Sequence, residues 1–250
     1  MKQKTIRFLL CVLCALFALS GCKKEEPLPD DNGGMTVDNP GATSVPEPTG
    51  DVHADGDLTL KDSVAYVFEG MLYGGITYTN KSTSAMALNE AVFSFSYSGG
   101  SKEQSLLAFA PDSDILLPGE TASAAIYVPL SEGESVAGDI SLTVTLRGER
   151  TEKLPQRLVV SDAMLIQNYP HFATLTGNLE NPTEDVCNLN MVYAQFYDEA
   201  DKLLGVWYFS RNAIIQPGNS VPFAVHLTEL PIEGLAENTA SIRFYAYGIS

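Results

Sequence analysis

The two halves of this 250-residue chain repeat each other with a period of about 100 residues. Five segments recur in the same order, at offsets between 99 and 102 residues. The matched segments begin at Leu58 and Leu158, Gly75 and Gly177, Leu88 and Leu189, Leu116 and Ile215, and Ile140 and Ala240. A repeat of this length predicts two copies of one domain, over residues 57–153 and 154–250.

Apolar residues in both copies follow the two-residue period of β-strands. In the first copy, for example, Phe93 and Phe95 alternate with Ser94, a pattern typical of strands with one buried and one solvated face. A proline-glycine pair that fits a type II turn begins at Pro118 in the first copy and at Pro217 in the second. The predicted fold is all-β: two tandem antiparallel immunoglobulin-like β-sandwiches that follow a signal peptide and a disordered tether.

The N-terminus has the three parts of a secretion signal. A basic stretch, MKQKTIR, precedes the 12-residue apolar run FLLCVLCALFAL, which is too short to span a bilayer but fits a signal peptide. The run ends in LSGC, which resembles the lipobox of bacterial lipoproteins. The resemblance implies that residues 1–21 are a signal peptide and that Cys22 carries the lipid. Two or three acyl chains there would anchor the protein stably to a membrane, whereas the alternative is an ordinary secretion signal with a chance cysteine.

This anchor predicts a location in the cell envelope, outside the cytoplasmic membrane, at the outer membrane or the cell surface. Residues 22–56 contain five prolines and no aromatic residue, so we expect a disordered tether. Cys11 and Cys14 lie in the predicted signal peptide. Cys187 is therefore left without a disulfide partner, and we expect a small buried hydrophobe there.

Part of the second copy resembles the FxLYD-type domain of bacterial secreted proteins and lipoproteins. The resemblance rests on FATLTGNLENPT, VYAQFYDEADKLLG and IQPGNSVPFAV, roughly 60 residues in all. The matching positions are Phe172, Gly177, Asn181, Tyr197, Asp198, Pro217 and Gly218. The first copy departs from the pattern, with Ser98 in place of the acid. The family is an extracellular β-sandwich module without an established activity, so the resemblance implies a fold and a location but no chemistry.

Tyrosines distinguish the outward positions of the second copy. Tyr193, Tyr197, Tyr245 and Tyr247 align with Val92, Ser96, Thr145 and Arg147, and Trp207 lies nearby in sequence. Tyrosine rings bury area at small entropic cost and keep a polar tip. We expect a contiguous aromatic face that binds a glycan or a protein. Packing on the first domain or on a partner copy, and scattered tyrosines, remain the alternatives.

The stretch GDVHADGDLTLKDS, which starts at Gly50, resembles a calcium loop. Its acidic candidates are Asp51, Asp55, Asp57 and Asp62. However, His53 places a nitrogen where calcium prefers oxygen, and the segment from Leu58 to Asp62 recurs in the second copy without the loop. A calcium-binding module is therefore kept as an alternative function, and no other cofactor is expected.

Charge and motifs narrow the function classes further. The chain has 15 basic and 31 acidic residues, a balance that repels nucleic acids because their binding requires lysine and arginine. The sequence lacks the HExxH, GxSxG and P-loop motifs. These features favour a non-catalytic, membrane-anchored binding or adhesion module. A carbohydrate-active enzyme is the less favoured alternative, and the oligomeric state is left open.

Overall fold

The computed structural model describes residues 53–54, 57–108, 113–169, 172–228, 230 and 232–249. The predicted signal peptide, Cys22 and nearly all of the predicted tether lie outside the described residues. His53 and Ala54 are the exception, because they form a short strand that pairs in parallel with Thr145 and Leu146. Paired backbone thus begins before the predicted domain boundary at residue 57.

The first repeat folds into two sheets. Its strands are β1 (His53–Ala54), β2 (Leu58–Phe68), β3 (Met71–Asn80), β4 (Met86–Ser98), β5 (Gly100–Leu107), β6 (Ile115–Leu116), β7 (Thr121–Pro129) and β8 (Ala137–Arg150). Sheet I has the order β1-β8-β4-β5, with β6 also paired to β4, and sheet II has the order β2-β3-β7.

The second repeat follows the same pairing scheme. Its elements are β9 (Gln156–Arg157), β10 (Val159–Tyr169), β11 (Phe172–Glu180), β12 (Leu189–Tyr197), β13 (Leu203–Phe209), β14 (Ser220–Leu227), the one-turn helix α1 (Leu235–Asn238) and β15 (Ser241–Ile249). Sheet III has the order β13-β12-β15-β9, and sheet IV has the order β10-β11-β14. The predicted all-β fold of antiparallel sheets is confirmed. No helix among the described residues is long and apolar enough to cross a membrane.

The four sheets stack as layers in the order I, II, III, IV. Within the first repeat, Phe95 of sheet I reaches Gly74 of sheet II so closely that a Cβ on the glycine would lie 2.8 Å from the ring. Within the second repeat, the rings of Phe209 and Phe223 join sheets III and IV, with centroids 4.9 Å apart. Sheets II and III meet at a buried contact between Ser123 and Gln195.

Because sheets II and III lie in the middle of the stack, both of their faces are covered. Strands β3 and β12 are buried along almost their whole length, whereas β14 alternates between exposed and covered side chains. The expectation of one buried and one solvated face therefore describes the outer sheets but is wrong for the two inner ones. The sequence pattern showed the period of the strands but not the second layer that covers them.

A buried asparagine closes the same turn in each repeat. Asn80, at the end of β3, donates through Nδ2 to the carbonyl oxygens of Ser84 and Leu116, at 2.8 and 2.9 Å. Its Oδ1 accepts from the backbone N–H of Ser82 at 2.9 Å. Asn181 makes the equivalent bonds, with the carbonyl oxygens of Asp185 and Ile215 and the N–H of Thr183. Both side chains are fully buried, so each holds loop backbone that water cannot reach.

Replacing Asn181 with alanine is expected to lower the free energy of unfolding by about 1–3 kcal/mol, because buried backbone groups lose their partners. Asn80→Ala should have a similar cost in the first repeat. Urea unfolding followed by circular dichroism measures both. The matched control is Asn219→Ala, an exposed position of the neighbouring turn. If Asn181→Ala were no more destabilising than this control, the structural role of the asparagine would be refuted.

Candidate functional site

The four tyrosines expected on an exposed face lie on sheet III but are buried. Tyr193, Tyr197, Tyr245 and Tyr247 are between 0 and 8% exposed. They do share one sheet, as expected, since β12 and β15 are paired neighbours. The expectation of an accessible aromatic face is nevertheless wrong, because residues of the first repeat cover the rings, such as Asp62 at Tyr197 and Asp114 at Tyr245. Packing on the first domain, one of the alternatives, describes their environment.

Two rows of tyrosines run across the strands of the inner sheets. The first row, on sheet II, consists of Tyr66, Tyr73 and Tyr127. The second row, on sheet III, consists of Tyr208, Tyr193 and Tyr245. Neighbouring ring centroids within the rows are 5.2 to 6.2 Å apart, a spacing at which aromatic rings attract each other.

The first tyrosine row reaches across to strand β13. The Tyr73 hydroxyl donates to the carbonyl oxygen of Val206 at 2.7 Å and accepts from its N–H at 2.6 Å. The Tyr66 hydroxyl donates to the Leu204 carbonyl oxygen at 2.8 Å. Because β13 is the edge strand of sheet III, these hydroxyls satisfy backbone groups that no neighbouring strand pairs. Trp207, one of the predicted ligand-binding residues, packs edge-on against Tyr127 here, with centroids 6.3 Å apart.

The second tyrosine row reaches a buried carboxylate of the first repeat. The hydroxyls of Tyr245 and Tyr78 donate to the two oxygens of Asp114, at 2.7 and 2.9 Å. Asp114 is 4% exposed, and burial raises its pKa, although both hydrogen bonds and the nearby Arg157 act in the opposite direction. The Arg157 guanidinium lies 4.8 Å from the Tyr245 ring centroid and pairs with Glu120.

The described residues of the proposed calcium loop make protein contacts. Asp57 forms an ion pair with Arg150 at 3.1 Å. Asp62 lies inside β2, where its Oδ2 accepts from the Thr77 hydroxyl at 2.9 Å and lies 3.5 Å from the Tyr197 hydroxyl. Asp51 and Asp55 lie outside the described residues. Among the side chains that the structure describes, no group of three or more metal-ligating residues comes together.

Cys187 is fully buried, and its thiol donates to the Leu189 carbonyl oxygen at 2.9 Å. Burial raises the pKa of the thiol, which lowers the fraction of reactive thiolate. This environment agrees with the expected small buried hydrophobe.

An open groove of about 790 Å³ lies at the Tyr169–Phe172 end of the β10–β11 hairpin, on sheet IV. It is lined by Gln167, Asn168, Tyr169, Phe172, Ala173, Thr174, His226 and Thr228. Tyr169 and Phe172 are 70 and 41% exposed, and their rings are nearly perpendicular, with centroids 6.5 Å apart. This groove was not predicted from the sequence, although two aromatic residues three positions apart, Tyr169 and Phe172, are a signal that could have revealed it.

Hydrogen bonds between side chains order the polar wall of the groove. Asn168 donates through Nδ2 to the Thr174 hydroxyl at 2.5 Å, and this hydroxyl lies 3.0 Å from Nδ1 of His226. Gln167 donates to the carbonyl oxygen of Phe172 and accepts from the N–H of Ala236 in α1, at 3.2 and 2.9 Å. These bonds of Gln167 connect the strands that carry the exposed rings to α1.

Replacing Tyr73 with phenylalanine is expected to lower the free energy of unfolding by about 2–4 kcal/mol, since two buried backbone groups of Val206 lose their partner. Chemical denaturation measures the effect. Tyr169→Phe is the matched control, because it removes the hydroxyl of an exposed ring. Equal stability of the two variants would contradict the proposed role of Tyr73.

Asp114 should make stability depend on pH in a defined direction. Its pKa in the folded protein is raised above the ordinary 3.8, so the folded state binds the proton more tightly than the unfolded state. The contribution of Asp114 is therefore fully present below pH 3.8 and is lost as the pH rises through the raised pKa. The free energies of unfolding of the native protein and of Asp114→Asn, measured at a series of pH values from below 3.8 upward, report this contribution. The difference in unfolding free energy, native minus variant, should fall with rising pH, and a difference that rises would refute the assignment.

Comparisons with known proteins leave the family open. No family model matches the chain, and no curated protein matches it. Among solved structures, a red sea bream transglutaminase shares 11% identity at a TM-score of 0.21, over 71% of this chain and 27% of its own. A β-glucuronidase of glycoside hydrolase family 2 shares 13% at 0.19, over 81 and 25%. A calcium-binding mutant of Bacteroides uniformis β-glucuronidase 2 shares 16% at 0.21, over 71 and 24%. The chain spans about a quarter of each of these proteins, and likenesses this low carry no argument about function.

Proposed function

We propose that this protein is a non-catalytic, lipid-anchored module of the cell envelope, which presents a rigid binding surface outside the cytoplasmic membrane. In this proposal, Cys22 is the lipid attachment site and the two sandwiches carry the binding surface. The lipobox-like LSGC at residues 19–22 supports the anchor. The packing of the two repeats supports a rigid binding surface.

The observation that carries the proposal is the contact between sheets II and III. Hydroxyls of both tyrosine rows bond to buried partners on the opposite repeat, such as Val206 and Asp114. Separating the repeats would expose these groups together with the aromatic rings, so the two sandwiches should move as one body. Rigid presentation favours binding, because little conformational freedom is lost when a partner docks.

The same contact argues against a catalytic site between the repeats. Ligand sites often lie at domain interfaces, but here the space between the repeats is filled by the side chains of Tyr73, Tyr193, Tyr245 and Gln195, all of them buried. The sheet faces that remain exposed to a partner are the outer faces of sheets I and IV, as the exposed positions of β4 and β14 show.

The segment between Cys22 and β1 suits an anchored module by its composition. Residues 23–52 are rich in proline, glycine and acidic residues, a composition that predicts a disordered tether. A disordered chain of this length would have a reach of about 30 Å. The acidic excess also disfavours adsorption to anionic lipid headgroups. We therefore propose that the folded part stands away from the membrane that holds it.

Cys22→Ser is expected to move the protein from the membrane fraction to the soluble fraction and to abolish labelling by a palmitate analogue. Cell fractionation with metabolic labelling measures both effects. Cys187→Ser is the matched control, since it removes a buried thiol and should leave location and labelling unchanged. A Cys22→Ser protein that still labels and still sediments with membranes would disprove the anchor.

A further inference from the structure

The groove at the Tyr169–Phe172 end of the β10–β11 hairpin carries two exposed aromatic rings. Tyr169 and Phe172 are 70 and 41% exposed. At 70% exposure, the Tyr169 ring contributes little to the core. The Phe172 ring lies beside the Tyr169 ring and is nearly perpendicular to it. A pair of exposed aromatic rings beside a groove, on an otherwise acidic protein, is typical of a contact site.

Among the residues that the structure describes, the lining of the groove includes no aspartate, glutamate, lysine or arginine. This is notable in a chain with 31 acidic and 15 basic residues. An anionic ligand would meet the negative field of the protein without a cation in this described lining, and a cationic ligand would meet no carboxylate there. Charge complementarity therefore favours an uncharged ligand.

The polar groups of the groove belong to side chains and are held in place. The amide of Asn168, the hydroxyl of Thr174 and the imidazole of His226 form a chain of hydrogen bonds along one wall. Amide, hydroxyl and imidazole groups both donate and accept, which matches the hydroxyl groups of a sugar. The volume of about 790 Å³ lies within the roughly 300–1,000 Å³ of ordinary small-ligand sites.

We propose that this groove binds a neutral glycan chain, with a sugar ring stacked on Tyr169 and its hydroxyls bonded to the wall of Asn168, Thr174 and His226. The C–H groups of a sugar face carry partial positive charge, and the face of an aromatic ring carries partial negative charge, so the two attract. The inference rests on the proposed role as a binding module and specifies the ligand class of that module.

The test titrates purified full-length protein in detergent with neutral hexasaccharides of glucose, mannose, xylose and galactose, followed by isothermal calorimetry. A hexamer of galacturonate is the charged comparison. At least one neutral hexamer should bind with a Kd on the order of 0.1–1 mM, and the galacturonate hexamer should bind more weakly. Tyr169→Ala should weaken binding about tenfold or more, whereas Tyr169→Phe, which keeps the ring, should retain it.

Ile214→Ala is the matched control, because it truncates an exposed apolar side chain of the second repeat outside the groove and should leave binding unchanged. Thermal melts confirm that each variant is folded, and Asn168→Ala tests the polar wall should Tyr169→Ala unfold. The inference is overturned if none of the neutral hexamers binds, if binding survives both Tyr169→Ala and Asn168→Ala, or if galacturonate binds best. A protein partner at the open edge of β10 would then be the better explanation of the exposed hairpin.

The outcome is separable from the proposed function. Mass spectrometry of the titrated sugars detects cleavage. Cleavage would contradict the proposed non-catalytic role but would not contradict sugar binding at Tyr169. Loss of sugar binding in Tyr169→Ala should leave membrane fractionation unchanged, since Cys22 holds the anchor. If the anchor test fails, the sugar titration still tests the groove, because it does not depend on Cys22.

Discussion

When two sheet faces bury each other, the polar groups that they cover need hydrogen-bond partners within the interface, and this requirement shapes the centre of the protein. Phenylalanine would fill the same space between sheets II and III but would leave the edge of β13 and the carboxylate of Asp114 without donors or acceptors. Tyrosine supplies a large ring and a hydroxyl at its tip. The bonds of Tyr73 to Val206 and of Tyr245 to Asp114 place these hydroxyls on buried partners. An unmade bond there would cost about 1–3 kcal/mol.

The interface joins unlike faces of two like domains, which explains why the tyrosines differ between the copies. By strand pairing, the first row, Tyr66–Tyr73–Tyr127, corresponds to Ile166–Thr174–His226 in the second repeat. The second row, Tyr208–Tyr193–Tyr245, corresponds to Ser105–Val92–Thr145 in the first repeat. Repeats that contact each other head to tail can add further copies without limit, unless the two faces at the ends of the stack differ from the faces inside it. Here both terminal faces lack the tyrosines, so the geometry favours a stack of two.

The repeat and the strand period were sufficient to predict the all-β fold, because alternation such as Phe93-Ser94-Phe95 follows from pleat geometry alone. The same alternation placed Tyr193 and Tyr245 correctly on one face of one sheet. The alternation could not reveal which residues cover that face. They lie more than 100 positions away in the sequence, as the contact of Tyr245 with Asp114 shows. In β3 and β12, unlike β4, aromatic residues occur on both faces of the strand, as in the neighbours Phe196 and Tyr197. This was the available sign that these strands have no solvated side. The groove escaped prediction because its polar wall joins β10, β11 and β14.

The outer face of sheet IV shows how equivalent surfaces of the two repeats carry different side chains. In the first repeat, the row across β2, β3 and β7 is tyrosine, and it packs against sheet III. In the second repeat, the equivalent row contributes Thr174 and His226 to the groove. A hydroxyl and an imidazole therefore stand where the first repeat has aromatic rings. The position of the surface follows from the fold, and its side chains determine which chemical groups it can contact.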